Sequence, residues 1–288
     1  MKRLIVNADD LGADEARNAG IFEAIRAGIV TSVSILPNGP ALKDALTRIG
    51  SLDPGSVSLG LHFNLSEGQP LSPDLKLLIG PDGCFLGKKS SQRLFTNSPE
   101  SELDEEIRKE LDAQFSVLRS AGVPLDHLDG HQHVHILPGV AGVVADAAKA
   151  HGIPWIRIPE EPTSEFQADL LSANDAEEVR FFSGHAAKAR PILRRAGFLA
   201  PDHFRGLNFK GRLPAGFWTR FLDAIPDGVT EFMVHPGHAA GDASIGPFSR
   251  FSTPDREKEL ADLTDGRFGL ALLKSGFKLT SFPAVPVS

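Results

Sequence analysis

The sequence predicts an α/β protein, a single (β/α) barrel of the TIM type in distorted form, occupying residues 1–288. Three observations predict it. Short apolar runs alternate with amphipathic segments about eight times, the pattern of parallel strands covered by helices. The charged and imidazole-bearing residues cluster just after those runs, where such barrels build their sites. At 288 residues and 41% hydrophobic content, the chain has enough material for one large core.

The elements follow in order. Residues 2–6 (KRLIV) read as a first strand that ends at Asn7-Ala8-Asp9-Asp10, and a helical pattern runs from Asp14 to Gly28. A strand at 31–36, a Pro-Asn-Gly-Pro turn and a helix at 42–49 come next, then a third strand at 57–65. A Gly-, Pro- and Ser-rich stretch over 66–97 predicts a long rim loop. Ser98-Pro99 reads as a helix start, and Leu103, Ile107, Leu111, Phe115 and Leu118 keep a helical beat up to Gly122. A strand at 127–135, a helix at 140–150 and a strand at 153–158 follow. Residues 159–183 read as a second irregular rim segment. The remainder predicts a helix at 186–196, a strand at 203–207, a helix at 217–224, a strand at 229–234, one helix over 254–274 and a last strand at 278–282.

The run DHLDGHQHVH holds four of the ten histidines. In an extended strand, His127, Asp129, His131, His133 and His135 would share one face. Imidazole and carboxylate together are divalent-metal ligands. The alternative is a solvated edge strand. Asp9 and Asp10, at the end of the first strand, are either a metal ligand and a base with coupled proton affinities, or a turn cap. Barrel topology brings further polar residues to the same rim: Asn38 after strand two, His62 and Asn64 on strand three, Arg157 on strand five and His235 after the strand at 229–234. Taken singly, His62 could be a core histidine, Arg157 an ion-pair partner and His235 an exposed loop residue.

Composition narrows the classes. A net charge of −7 without a basic stripe argues against nucleic-acid binding. Cys84 is the single cysteine, which rules out an intrachain disulfide and any zinc site built from several cysteines. No run is long enough for a membrane span or a signal-peptide core, so a cytoplasmic location is expected. The chain has 19 Phe and no Tyr, for which there is no physical account.

In its motifs the chain resembles the YdjC-like carbohydrate deacetylases, the ChbG/HpnK type that includes chitooligosaccharide deacetylases. The residues that carry the likeness are Ile5–Gly12 (IVNADDLG), Gly28–Ser32 (GIVTS), Gly60–Phe63 (GLHF), His127–His135 (HLDGHQHVH) and His235–Gly237 (HPG). Members often have Phe where Leu11 stands and His where Gln132 stands. The resemblance implies removal of an acetyl group from an N-acetylated amino sugar on a distorted (β/α) barrel. It implies one divalent metal ion, Mg or Zn, held by Asp10, His62 and His131. Asp9 would be the base, and His235 or His133 the acid. Arg157, Asn38 and Asn64 are candidate substrate contacts. An acetylated sugar and a second copy in a homodimer are the expected partners. Phe85, Trp155 and Phe166 are either packing residues or sugar-stacking ones. Three rival readings stay open: another metal hydrolase such as a phosphoesterase, a non-catalytic sugar-binding barrel, and a structural metal.

Overall fold

A computed structural model of the chain describes residues 2–98, 102–163, 172–209, 218–241 and 246–285. Its elements run β1 (Lys2–Leu11), α1 (Glu15–Arg26), β2 (Ser32–Ile35), α2 (Leu42–Ile49), β3 (Ser58–Phe63), α3 (Lys88–Asn97), α4 (Asp104–Ser120), β4 (His127–Gly130), α5 (Pro138–Ala150) and β5 (Trp155–Ile156). They continue with α6 (Ala173–Arg195), β6 (His203–Arg205), α7 (Trp218–Asp223), β7 (Gly228–Val234), α8 (Pro254–Thr264), α9 (Arg267–Lys274) and β8 (Lys278–Leu279). No helix among the described residues is long and apolar enough to cross a membrane.

The strands form one parallel sheet in the order β5-β4-β3-β2-β1-β7-β6. β7 takes one edge of β1 from Lys2 to Ala8. The other edge is shared: β8 pairs with Arg3 and Leu4, and β2 starts at Asn7. The two ends of the path approach each other through a bridge between Trp155 and Leu199, just before β6. The result is a barrel with one thin seam between β5 and β6, which agrees with the expected distorted barrel.

Strand alternation explains how this barrel is filled. On β1, Leu4, Val6 and Ala8 belong to the main apolar core, which also takes the inner faces of the helices. α4 shows why those helices form and dock. Ile107, Leu111, Phe115 and Leu118 repeat at helical spacing and are fully buried, and burying each such side chain is worth about 1.5–3 kcal/mol. The opposite face of β1 carries Ile5, Asn7 and Asp9. Ile5 packs with Trp155, Phe282 and Val285 in a separate apolar plug. Above it, His127 stacks on Phe282 at 4.2 Å, and Asn7 donates to both Ser34 Oγ and Asp9 Oδ1. The barrel interior therefore changes along its axis from apolar plug to polar layer to carboxylate.

Several expected boundaries are corrected. The rim stretch 66–97 contains α3, and Ser98 caps the C-terminus of that helix rather than starting the next, which begins at Asp104. Pro99 lies outside the described residues. α6 starts at Ala173, inside the segment expected to be irregular, and its N-cap is Ser172, whose hydroxyl accepts from Asp175 N–H. The expected helix over 254–274 is two helices, broken at Gly266 in the left-handed region (φ 38°). Trp155 and Phe85 are buried packing residues, so they present no face to a ligand, and Phe166 lies outside the described residues.

Candidate metal centre and active site

Asp9 and Asp10 sit near the C-terminal end of β1, where pairing with β2 slips between Ala8 and Leu11. Asp10 adopts φ 67°, a left-handed conformation uncommon outside glycine. The irregularity aims two adjacent carboxylates at different partners, a known use of a bulge at a barrel rim.

The His-rich run departs from the expected strand. β4 stops at Gly130, and residues His131–Ile136 form a short 3₁₀ segment with Gln132 and His133 at positive φ. Glycine is required at 130 because the segment folds back over it: a Cβ there would lie 2.6 Å from His135 Nδ1 and 3.0 Å from its backbone N. The five residues do not share one face. His127 faces Ser34 and Ser58 in the interior, and His135 donates from Nε2 to the Arg157 carbonyl at 3.0 Å. His131 and His133 line the rim cavity.

That cavity, about 310 Å³, is lined by Asp9, Asp10, His62, His131, His133 and His235 together with carboxylate and aromatic side chains. Asp10, His62 and His131 each offer a ligand atom within 4.8 Å of the others. Both imidazoles point one nitrogen at Asp10 Oδ1, His62 Nε2 at 3.2 Å and His131 Nδ1 at 2.9 Å. Each gives its other nitrogen to a carboxylate, His62 Nδ1 to Asp129 Oδ1 at 2.7 Å and His131 Nε2 to Glu67 Oε2 at 3.0 Å. Arg17 Nη1 donates to Asp10 Oδ2 at 3.0 Å.

This donor set fits a divalent cation. Metal-bound histidines characteristically donate their outer N–H to a carboxylate, which fixes the tautomer and strengthens the inner nitrogen as a ligand. Without a cation, protons take its place. Burial alone would push His62 down, but Asp129 and Asp9 outweigh it and raise the ring to about 10. His131 is raised against its burial by Asp10 and Glu67. Asp10 is held well below the carboxylate range, its burial outweighed by the charges and hydrogen bonds of His131 and His62. Asp9, His62 and Asp129 also lie within ligand reach of one another. Arg157, however, already engages both oxygens of Asp9 and one of Asp129.

Arg157 is fully buried and lies beneath the cavity rather than in its lining. Its guanidinium bonds both Asp9 oxygens at 2.7 Å, Asp129 Oδ2 at 2.7 Å and Glu231 Oε1 at 2.7 Å. Three strands (β1, β4 and β7) thus lock the fork that locks Asp9. With Asn7 Nδ2 also on Oδ1, Asp9 keeps acceptor capacity on Oδ2, and His235 Nε2 stands 3.9 Å from that atom. His235 itself is held through its backbone N–H by Glu259 Oε1. Its Pro-Gly continuation packs on α1 at Gly20, where a Cβ would lie 2.4 Å from Gly237 Cα. Burial takes His235 down to about 4, partly opposed by Asp9 and Asp10. His133 is pushed well below its ordinary value by burial and by Arg157, and its ring packs edge-on against Phe182.

Asn38 and Asn64 fall outside the cavity lining. Both amides donate to the Glu67 carbonyl, at 3.1 and 2.7 Å, and Asn64 also donates to Asn38 Oδ1. Glu67, Arg17 and Phe251 escape the sequence reading. Glu67 lies in a segment without periodicity, where no pattern marks a residue. Phe251, exposed on the cavity wall, rests against the Arg17 and Arg256 guanidiniums, and its ring stands T-shaped to that of His235.

A (β/α) barrel with a buried Asp-His-His cluster on its C-terminal rim, beside an arginine-held carboxylate, defines the class: a barrel with a candidate cation-dependent catalytic centre. Within it the chain belongs to the YdjC-like protein family, whose model matches residues 3–274. Among its relatives, the carbohydrate deacetylase of Mus musculus is 36% identical over 293 residues, covering 96% of this chain and 93% of the mouse protein. The chitooligosaccharide deacetylase of Proteus mirabilis (strain HI4320) is 39% identical, covering 97% of each. A solved structure from Enterococcus faecalis V583, provisionally assigned to cellobiose-phosphate cleavage, matches with a TM-score of 0.74 at 22% identity over 99% of each chain. That likeness supports the fold.

Proposed function

We propose that this chain is a carbohydrate N-deacetylase, a hydrolase that cleaves the amide C–N bond of an N-acetylated amino sugar with the help of one divalent cation. The observation that carries the reading is the pairing of Asp10, His62 and His131 with the separately tethered Asp9 in one cavity. The names of the mouse and Proteus relatives, both deacetylases, point the same way. A cation held by Asp10, His62 and His131, Mg or Zn, supplies positive charge that polarises an amide carbonyl and acidifies water.

The chain's own groups account for the proton. Water adds to the acetyl carbon, forming an O–C bond, and its proton goes to Asp9 Oδ2, the oxygen that keeps acceptor capacity. Arg157 holds that carboxylate in one orientation while leaving it this position. The C–N bond then breaks, and the leaving nitrogen needs a proton because an amide anion departs poorly. His235 is favoured over His133 for its delivery. Its Nε2 approaches Asp9 Oδ2, whereas the His133 ring is packed against Phe182. Buried and neutral at rest, His235 accepts the proton before it gives it up. Acetate and a free amino sugar are the products. Phe251 and Phe248 give the cavity an apolar wall against which a sugar face can lie.

The deciding experiment is mass spectrometry of products from a panel of N-acetylated sugars, with and without chelator. Loss of one acetyl group that the chelator prevents is the expected result. Turnover of phosphate esters with intact acetamides would sink the reading.

A further inference from the structure

The sequence points Asn38 and Asn64 at the substrate; the structure ties both to one loop, where Asn38 Nδ2 also donates to the Gln69 carbonyl at 2.9 Å and Asn64 Oδ1 accepts from Ser66. The Glu67 carbonyl accepts from Asn38 Nδ2 and Asn64 Nδ2, and the Glu67 amide donates to Asn64 Oδ1 at 3.2 Å. Asn64 is fixed in turn by α4, where Gln114 Nε2 donates to its carbonyl at 2.7 Å and Gln114 Oε1 accepts from its amide at 3.1 Å. Gln114 is braced by Glu110, whose carboxylate also accepts from the Leu71 and Ser72 amides. Residues from the β2 end, the β3 end and α4 thus converge on a loop that carries one partly exposed carboxylate into the cavity. The Gln114–Asn64 pair is buried and costly to leave incomplete, and the partly buried bonds to Glu67 extend it to the loop.

We infer that Glu67 is the positioning residue of His131: the Asn38–Asn64–Gln114 clasp holds its carboxylate on His131 Nε2 and so aims Nδ1 at the cation site. The inference rests on the metal reading above. The far side of the site supplies a counterpart, because Asp129 does for His62 what Glu67 does for His131. The two supports differ in build. Asp129 is fully buried, and Ser34 and Arg157 hold its second oxygen. Glu67 comes from a loop and is 27% exposed, so the loop is the part of the site through which His131 can be disturbed without touching the barrel interior. Glu67 is a poor candidate for a ligand itself. Its oxygen lies on the Nε2 edge of the ring, whereas Asp10 lies on the Nδ1 edge.

The test is cation affinity rather than turnover. Zn²⁺ and Co²⁺ dissociation constants are measured by competition with a chromogenic chelator for the parent protein, Glu67→Ala, Glu67→Gln and Asn38→Ala, alongside thermal melts and the visible spectrum of each Co²⁺ form. Glu67→Ala is expected to weaken binding roughly 10- to 100-fold. Glu67→Gln should recover part of the loss, because its amide oxygen still accepts the imidazole N–H, and Asn38→Ala should weaken binding less than Glu67→Ala. The Co²⁺ spectrum should keep the parent's ligand signature throughout. Parent-like affinity in Glu67→Ala overturns the inference. So does a changed signature, which would make Glu67 a ligand. If Glu67→Ala does not fold, Glu67→Gln and Asn38→Ala decide, and parent-like affinity in both overturns the inference. A parent that binds neither ion removes the metal reading together with this one.

Discussion

Asp9 and Asp10 are chain neighbours with different surroundings, and the difference predicts different losses. Asp10 offers Oδ1 to both imidazoles, and its Oδ2 accepts from Arg17. Asp9 is gripped on both oxygens by Arg157. Asp9→Asn should therefore keep stoichiometric cation and lose most turnover, since an amide cannot accept the water proton. Asp10→Asn should lose the cation itself, as read by elemental analysis of the purified proteins. Equal cation loss in both would make Asp9 a ligand and send the search for the base elsewhere. His235→Ala should cut kcat on an acetamide by about a hundred- to ten-thousand-fold, the usual effect of general acid help. An ester substrate, whose leaving group needs less protonation, should suffer much less. Equal loss on both substrates would give His235 an orienting role and return His133 to candidacy. These residues are legible in the sequence because each follows an apolar run and barrel topology gathers such positions. Arg157 is legible as a position and not as a role: a substrate contact and a buried clamp for three carboxylates look the same in one dimension.

Among the elements, the His-rich segment shows where pattern reading fails. Alternation at every second residue is a strand's signature, but it does not require a strand. Here it continues past Gly130 into a turn where Gln132 and His133 take left-handed angles. Such angles at bulky residues cost of order 1–3 kcal/mol and persist where the surroundings over-determine them. Gly130 is the hinge of that arrangement. Gly130→Ala should lower Tm and weaken cation binding together, because the new methyl would collide with the buried His135 ring and crowd its backbone N, and His131 lies on the same short segment. Differential scanning calorimetry and a cation titration report the two effects, and a fall in Tm at unchanged affinity would show that the turn moves independently of the site. α3 is hidden for a different reason. Its sequence, KKSSQRLFTN, is mostly polar, and only Ser91 and Phe95 are buried, one helical turn apart. Two positions are too few to establish a period.

For the whole molecule, the barrel is legible because eight apolar runs alternate with helices, while its thin seam is not, since the Trp155–Leu199 bridge joins residues with no shared pattern. The filling of the barrel has a consequence for stability. His127 and His135 are fully buried at the polar layer, and burial takes each to about 4, with Asp129 only partly opposing. Their unfolded value is near 6.5, so their folded pKa is depressed and the unfolded chain binds their protons first as pH falls. The stability they confer is complete above about pH 6.5 and is lost progressively toward about pH 4, at about 1.4 kcal/mol per pH unit for each proton. Glu231 works in the opposite sense. Burial raises it to about 7 despite Arg157, and its contribution is present below an ordinary carboxylate pKa and lost as pH rises through 7. His133 and His235, also depressed by burial, act in the same sense, so the imidazoles outweigh the one carboxyl and leave a net loss on acidification from pH 6.5 to 5. The urea midpoint should fall over that interval, and His135→Gln should flatten the fall by about one proton's worth. A midpoint that holds or rises between pH 6.5 and 5 would mean that the folded interior takes up the protons, and the polar layer would then have to be wet rather than sealed.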